Sequence, residues 1–246
     1  MKSKIEQLLI QHGPIAVPAK IHLERRYNVR YSMSKKGAIL RMPSNISAND
    51  KIRYTEQFLG WVKKQLDNRL DLAQLYTVKS YRHGDIMQVG QRTYTLHINV
   101  GDRKTHGGRL LHRDIYLELS NAQEGMALTS SIKTLLSRLI AQDFLPAISQ
   151  RVAVLNQQYF QKKIKGVRLK YNRSNWGSCS SSGNVNLSTR LLFAPDLVID
   201  YVIIHELAHL VEMNHSPRFW AVVSNVMSDY KRQEKWLKQN GHLCDF

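Results

Sequence analysis

The 246-residue sequence is poor in cysteine, in acidic residues and in long apolar runs. Its two cysteines, Cys179 and Cys244, exclude the disulfide framework that holds many small secreted domains together. No apolar run approaches the roughly 20 residues that cross a bilayer, and the N-terminal apolar stretch is too short for a signal peptide. These absences predict a protein of the reducing cytoplasm that has no membrane partner.

The shortage of acidic residues leaves a large positive charge. Thirty-six Lys and Arg stand against 19 Asp and Glu, for a net charge of +17. Such an excess favours polyanionic partners, either nucleic acid or an acidic membrane surface, although many proteins with basic surfaces bind neither. The densest stretch, residues 162–173, has six Lys and Arg and no acid. We expect it to be either an ordinary solvated surface or a phosphate-binding patch.

Hydrophobic periodicity separates a strand-rich part of the chain from a helical part. Residues 14 to about 120 show the period-two alternation of strands, with one amphipathic helix at about 47–70. The later spacing is mostly helical, with a helix broken or bent at Pro146. No internal repeat is visible. We predict an α+β fold with a strand-rich region at 1–120 and a second region at 121–246, either separate or integrated into one domain.

Residues 205–215 read HELAHLVEMNH and follow an apolar stretch without Gly or Pro, which predicts a buried helix. On a helix, His205 and His209 lie one turn apart on one face, the spacing with which two imidazoles hold one zinc ion. Glu206 is turned by about 100° from His205. It is therefore poorly placed as a ligand and well placed to act as a general base on a zinc-bound water.

A catalytic zinc site needs a third ligand and an open fourth position. Asn214 tolerates the left-handed conformation that ends helices, and Ser216 and Pro217 have the pattern of an N-cap followed by proline at the first helical position. A turn at this point would bring His215 back to the metal. Glu212 is the alternative, either as a ligand in place of His215 or as a group that orients a histidine.

Residues 175–220 resemble the YgjP-like metallopeptidase family, with its Trp-Gly-Ser-Cys turn, HELAH, third histidine and Ser-x-x-Phe-Trp ending. The N-terminal half resembles the family more weakly. The resemblance implies a zincin-like fold related to the SprT and WLM groups, with the three histidines as metal ligands and Glu206 as base. Asn175 departs from the family, which usually has Arg there. Within the turn, we expect Trp176 and Cys179 to be packing residues.

Together these features predict a zinc-dependent hydrolase, and a metallopeptidase before other kinds. It holds one Zn²⁺ per chain through His205, His209 and His215, uses Glu206 as catalytic base, and acts on a protein or peptide. The strand at 183–189, just upstream, is a candidate for pairing with an extended substrate. Two alternatives stay open: a basic nucleic-acid-associated protein with a structural, four-ligand zinc, and a metal hydrolase acting on a non-peptide bond.

Overall fold

The computed structural model describes residues 4–34, 36–69, 72–73, 76–77 and 79–246. The chain divides into two compact units, Met1–Lys79 and Ser80–Phe246, each with its own apolar core. This division differs from the boundary expected near residue 120. Residues 80–120 form a sheet whose apolar side packs into the core of the second unit together with the helix that follows, so the strand-rich stretch is shared between the two units.

The first unit is a four-stranded sheet with one helix. Its elements are β1 (Lys4–His12), β2 (Ile15–Glu24), β3 (Arg30–Ser34), β4 (Gly37–Pro43) and α1 (Ala48–Asn68). The strand order is β1-β2-β4-β3, and β2 and β4 are the parallel pair. Helix α1 buries Phe58, Val62 and Leu66, which recur every fourth residue and face the sheet core. It is the helix expected at about 47–70, although Leu70 lies outside the described residues.

The second unit begins with a sheet of the same topology. Its elements are β5 (Ile86–Val89), β6 (Arg92–Gly101), β7 (Gly107–Leu111) and β8 (Asp114–Ser120), followed by α2 (Gly125–Leu155). The order is β5-β6-β8-β7, with β6 and β8 parallel. Helix α2 runs through Pro146 without a break, which was one of the two outcomes predicted there. Buried residues on both sides of the proline, Ile140 and Ile148, hold the helix in the core despite the missing backbone bond.

The two sheets form an internal repeat that the sequence analysis did not find. A constant spacing of 77 residues separates Ile15 from Arg92, Gly37 from Asp114, and Ala48 from Gly125, the first residues of matching elements. Matching positions are buried in both copies, for example the leucines at 40 and 117. The repeat is therefore one of burial pattern and connection length rather than of residue identity.

The rest of the second unit is a small sheet and a set of helices. Its elements are a π-helical turn (Asn156–Phe160), β9 (Gly166–Lys170), β10 (Gly177–Cys179), β11 (Asn184–Ser188), a 3₁₀ turn (Thr189–Phe193), α3 (Asp196–Ala208), α4 (Pro217–Val226) and α5 (Tyr230–Asn240). The small sheet has the order β10-β11-β9. The whole is a mixed α+β fold with a strand-rich N-terminal part, as predicted. None of the helices in the described ranges has both the length and the apolar character required to cross a membrane.

Candidate metal centre

Helix α3 is an apolar helix whose last turn carries the candidate site. Val202, Ile203 and Ile204 are almost completely buried, so the helix is fixed on most of its circumference. His205 and Glu206 follow directly. The helix ends at Ala208, and His209 is its C-cap. The core therefore fixes the direction from which these side chains leave the backbone.

The helix ends earlier than predicted, although the chain also bends at Met213 and Asn214 as expected. Residues 209–211 form the turn, which backbone bonds from Leu210 to Leu207 and from Val211 to Ala208 close. Such bonds between residues three apart tighten the end of a helix without a left-handed residue. Asn214 accordingly does not adopt the predicted left-handed conformation: across the described ranges, the non-glycine residues with positive φ lie elsewhere, at positions 112 and 161.

Three histidines converge where α3 ends and α4 begins. Ligand atoms of His205, His209 and His215 all lie within 4.8 Å of one another. The Nε2 atoms of His205 and His215 are 3.0 Å apart. Two imidazole nitrogens on one tetrahedral zinc ion, each at about 2.0–2.1 Å, lie about 3.3 Å apart, so this pair is close to the spacing of a shared ion. In the part of the chain that the structure describes, no fourth His, Cys, Asp or Glu joins it.

Glu212 contacts the site through its backbone rather than its side chain. Its carbonyl oxygen lies 3.3 Å from His209 Nδ1. A proton on Nδ1 completes this bond and leaves Nε2 of His209 with its lone pair for a metal. The Glu212 carboxylate does not belong to the cluster of candidate ligands. The orienting contact therefore comes from the backbone at position 212, and the Glu212 carboxylate takes neither of the two roles considered for it.

The two half-buried histidines, His205 and His209, favour their neutral forms. Burial, with the nearby charges of His209 and His215 as smaller causes, lowers the pKa of His205 to about 4. Burial also lowers the pKa of His209, although its bond to the Glu212 carbonyl acts in the opposite direction. Neutral imidazole is the form that binds metal ions. His215 is exposed, so the cluster opens to solvent on its side.

Phe219, for which the sequence pattern predicts no role, packs against all three histidines. It is fully buried, and its ring centroid lies 4.9, 4.6 and 4.8 Å from those of His205, His209 and His215. The predicted N-cap of α4 is confirmed, since the Ser216 hydroxyl accepts the Phe219 N–H. The cap starts the helix directly after the third histidine and so places Phe219 beneath the cluster. The sequence signal that could have identified Phe219 is an aromatic residue three positions after the N-cap of a helix that follows a histidine.

Glu206 lies against strand β10. It is 5% exposed, and burial raises its pKa to about 8. A β-carbon on Gly177 would lie 2.5 Å from Glu206 Oε1. Only glycine allows the strand to approach the carboxyl group this closely. The contact with Glu206 thus gives a steric reason for glycine in the Trp-Gly-Ser-Cys turn, which the sequence pattern alone does not reveal.

The two other marked residues of this turn are packing residues, as expected. Burial raises the pKa of the Cys179 thiol to about 11, with the Glu206 charge as a smaller cause, so the thiol is not an activated nucleophile. Trp176 lies under the guanidinium of Arg190, 4.7 Å from the ring centroid. Trp176 also packs closely against Gly241, where an added β-carbon would lie 2.5 Å from the Trp176 ring.

The strand that borders Glu206 is β10, not the strand at 183–189 that the sequence suggested for substrate pairing. That segment contains β11, which has β10 on one side and β9 on the other and therefore no free edge. Asn184 and Asn186 are partly exposed in the middle strand, whereas Ser188 is buried. Strand β10 is an edge strand, and it packs beside α3.

The hydrogen-bond pattern shows which groups of β10 face its free edge. The Ser188 N–H donates to the Trp176 carbonyl, which marks Trp176 as a position bonded to the neighbouring strand. Bonded and non-bonded positions alternate along an antiparallel pair. Ser178 is therefore bonded to β11, whereas Gly177 and Cys179 direct their N–H and C=O groups away from it.

A comparison with protein-family models identifies the family of this chain. The model of the YgjP-like metallopeptidase domain matches residues 26–240. The chain belongs to the YgjP-like metallopeptidase family. The resemblance noted over residues 175–220 is thereby confirmed and extends over most of the chain. Family membership indicates a hydrolase that uses a divalent metal ion.

Comparisons with solved structures and curated sequences give less information about this chain than the family model does. The crystal structure of the metallopeptidase zymogen abylysin of Pyrococcus abyssi is 21% identical over 37% of this chain and 93% of that chain, with a TM-score of 0.34. For the zymogen jannalysin of Methanocaldococcus jannaschii, the identity is 19% over 37% of this chain and 94% of that one, again with a TM-score of 0.34. No curated protein matches the sequence.

The packing of Phe219 predicts an effect on metal affinity. Phe219→Ala should weaken zinc binding by about 10–100-fold, the range seen when groups that orient metal ligands are removed, because the three rings lose their common support. Competition with a chromogenic chelator measures the affinity, at a temperature where the variant remains folded.

Val223→Ala is the matched control. Val223 is as fully buried as Phe219 and lies one turn further along the same helix. Both substitutions leave a cavity and should lower the free energy of unfolding. If the two variants bind zinc equally well, the contact with the histidines does not hold the ligands in place.

Proposed function

We propose that this chain is a zinc-dependent peptidase. His205, His209 and His215 hold one Zn²⁺, and Glu206 is the general base. The observation that carries this proposal is the convergence of three imidazole nitrogens around one point, next to a buried glutamate, in a chain of the YgjP-like metallopeptidase family. Three protein ligands leave one position of a tetrahedral ion open, which is the arrangement of catalytic zinc.

Zinc would supply a Lewis acid that polarises the scissile carbonyl, makes water a stronger nucleophile near neutral pH, and favours the ionised form of the neighbouring carboxyl group. The proton transfers are carried out by a residue of the chain itself. Glu206 accepts a proton from the attacking water as its oxygen bonds to the carbonyl carbon. Glu206 then passes that proton to the amide nitrogen as the C–N bond breaks. The products are a carboxylic acid and an amine.

The surroundings of Glu206 support its role as base rather than ligand. It follows His205 directly on α3, and its side chain lies against Gly177 of β10 instead of in the histidine cluster. The close approach of β10 limits where the carboxyl group can move. A base held within reach of one proton position loses little entropy on reaction.

The structure favours catalysis over the alternative of a structural zinc. A structural ion is closed by four protein ligands. Among the described residues the group of candidate ligands ends at three, and His215 is exposed. A substrate can therefore approach the ion from the side of His215.

The free edge of β10 favours a peptide over a non-peptide substrate. Extended peptides bind sheet edges by adding a strand, with main-chain bonds that do not depend on sequence. Gly177 and Cys179 present such groups at an edge that touches Glu206. We infer that the substrate is an extended or unfolded protein segment whose backbone pairs with β10, which brings one of its carbonyl groups beside Glu206.

The first test distinguishes the role of the proposed base from the role of the metal ligands. Glu206→Gln should keep the fold and about one zinc per chain, because no ligand is lost. It should lower the hydrolysis of an unfolded protein such as casein by about 10²–10⁴-fold or more, because an amide cannot accept the proton. His215→Ala should lose both zinc and activity. Metal analysis and a fluorescent casein assay measure the two effects.

Glu212→Gln is the control for this test, since it makes the same chemical change six residues later. It should keep zinc and activity, because Glu212 contacts His209 through its backbone carbonyl. Full activity of Glu206→Gln would refute the proposed base. Zinc retained by His215→Ala but lost by Glu212→Gln would make Glu212 the third ligand.

The second test concerns the edge of β10. Cys179→Pro removes an N–H that faces the free edge while leaving the bonds between β10 and β11, and edge strands tolerate proline at such positions. It should lower kcat/KM for casein by about tenfold, the effect of one lost hydrogen bond, and leave the zinc content unchanged.

Cys179→Ala keeps the N–H and changes only the side chain. It should remain close to the wild type in kcat/KM, because the thiol has no part in the proposed chemistry. An equal loss in the alanine and proline variants would assign the effect to the thiol and contradict pairing of the substrate with this edge.

A further inference from the structure

Residues 162–173 carry a positive charge that the described part of the chain does not neutralise. All six cationic side chains are exposed: Lys162, Lys163, Lys165, Arg168, Lys170 and Arg173. No ion pair between described residues involves any of them. A concentration of unpaired cations raises the local potential and attracts polyanions.

Strand β9 presents part of this charge on the open face of the small sheet. Its apolar side chains pack into the core, and Arg168 and Lys170 point the other way. Across the sheet, Arg168 is paired with Asn186, and Asn186 is paired with Ser178. The three strands contain no acidic residue. The face therefore offers a continuous row of hydrogen-bond donors and cations.

The backbone of the basic segment is held in one conformation. The Asn156 side chain bonds to both the N–H and the carbonyl of Lys162. The Lys165 N–H donates to the Gly183 carbonyl, and a β-carbon on Gly183 would lie 2.5 Å from the Lys163 oxygen. Because the backbone is already ordered, a ligand that binds here meets a smaller entropic cost.

A cavity of about 330 Å³ adjoins the same strand. It lies between α2 and β9, and its lining includes Leu145, Leu169 and Tyr171 together with Arg138 and Lys170. Arg138 is exposed and, among the described residues, forms no ion pair, so it extends the cationic surface onto α2. A cavity with apolar and aromatic walls and cations at its rim can take a flat ring whose attached group is an anion.

We propose that these six cations and Arg138, together called the basic surface, bind the phosphate backbone of a single-stranded nucleic acid, with a base in the adjoining cavity. The cations match the phosphates, and the cavity favours a single strand because a duplex keeps its bases paired and stacked. An acidic peptide would satisfy the charge but leave the cavity without a matching group. The proposal requires neither zinc nor catalysis.

The test measures the anisotropy of a fluorescent 20-nucleotide thymidine oligomer titrated with the full-length chain at several salt concentrations. The wild type should bind, with a logarithm of Kd that rises linearly with the logarithm of salt. Arg168→Gln/Lys170→Gln should bind about tenfold more weakly or worse. Its salt slope should fall by about 1.4, since each phosphate contact on a single strand contributes about 0.7.

Lys63→Gln/Lys64→Gln is the matched control, because it removes the same charge from exposed positions on α1. It should leave the affinity and the slope unchanged. Equal losses in the two double variants, or no binding by the wild type at 50 mM salt, would overturn the proposal. So would tighter binding of the corresponding duplex, or displacement of the oligomer by polyglutamate at equal charge concentration. Glu206→Gln should bind as the wild type does, so this test is independent of the proposed peptidase.

Discussion

The contact of Phe219 with three histidine rings is the interaction on which the candidate site depends. Two of the histidines come from the end of one helix and the third from the chain just before the next helix. Imidazoles that face one another without a metal repel when protonated and lose hydration when buried, and the lowered pKa of His205 reflects both costs. Burial of the Phe219 ring, worth about 2 kcal/mol or more, offsets these costs and keeps the rings together.

Each neighbouring element restricts the site in a different way. The apolar face of α3 fixes the histidines from the core, and the Ser216 cap fixes the start of α4. The approach of β10 at Gly177 confines the carboxyl group of Glu206. Because the glycine lies in a strand with a free edge, the same contact places peptide-pairing groups beside the proposed base. Geometry of this kind is set by packing and is present before any ligand binds.

Local rules predicted the residues of the site better than its surroundings. The i,i+4 spacing of His205 and His209 and the cap at Ser216 depend on neighbours in the chain, and the pattern of the sequence was enough to predict them. The end of the helix and the left-handed Asn214 were wrong, because backbone bonds three residues apart end α3 before Asn214 is reached. Phe219 and Gly177 were missed, because their importance comes from contacts with other elements.

Pairing between strands that are distant in sequence explains the larger differences between the predicted and the observed structure. Whether a strand is central or at an edge depends on partners distant in sequence, so the polar face of β11 did not reveal that β10 is the edge. The repeated four-stranded motif went unseen for a related reason. Its copies share burial positions such as Leu40 and Leu117 and the lengths of their connections, but few residue types. The division between the units follows that repeat rather than the change from strands to helices.

The coordination of zinc tests the central claim most directly. X-ray absorption spectroscopy at the zinc edge, on protein carrying one equivalent of zinc, reports the type and distance of each ligand. We predict three imidazole nitrogens and one further light atom, all at about 2.0–2.1 Å. A sulfur at about 2.3 Å, or a fourth imidazole, would contradict an open three-histidine site.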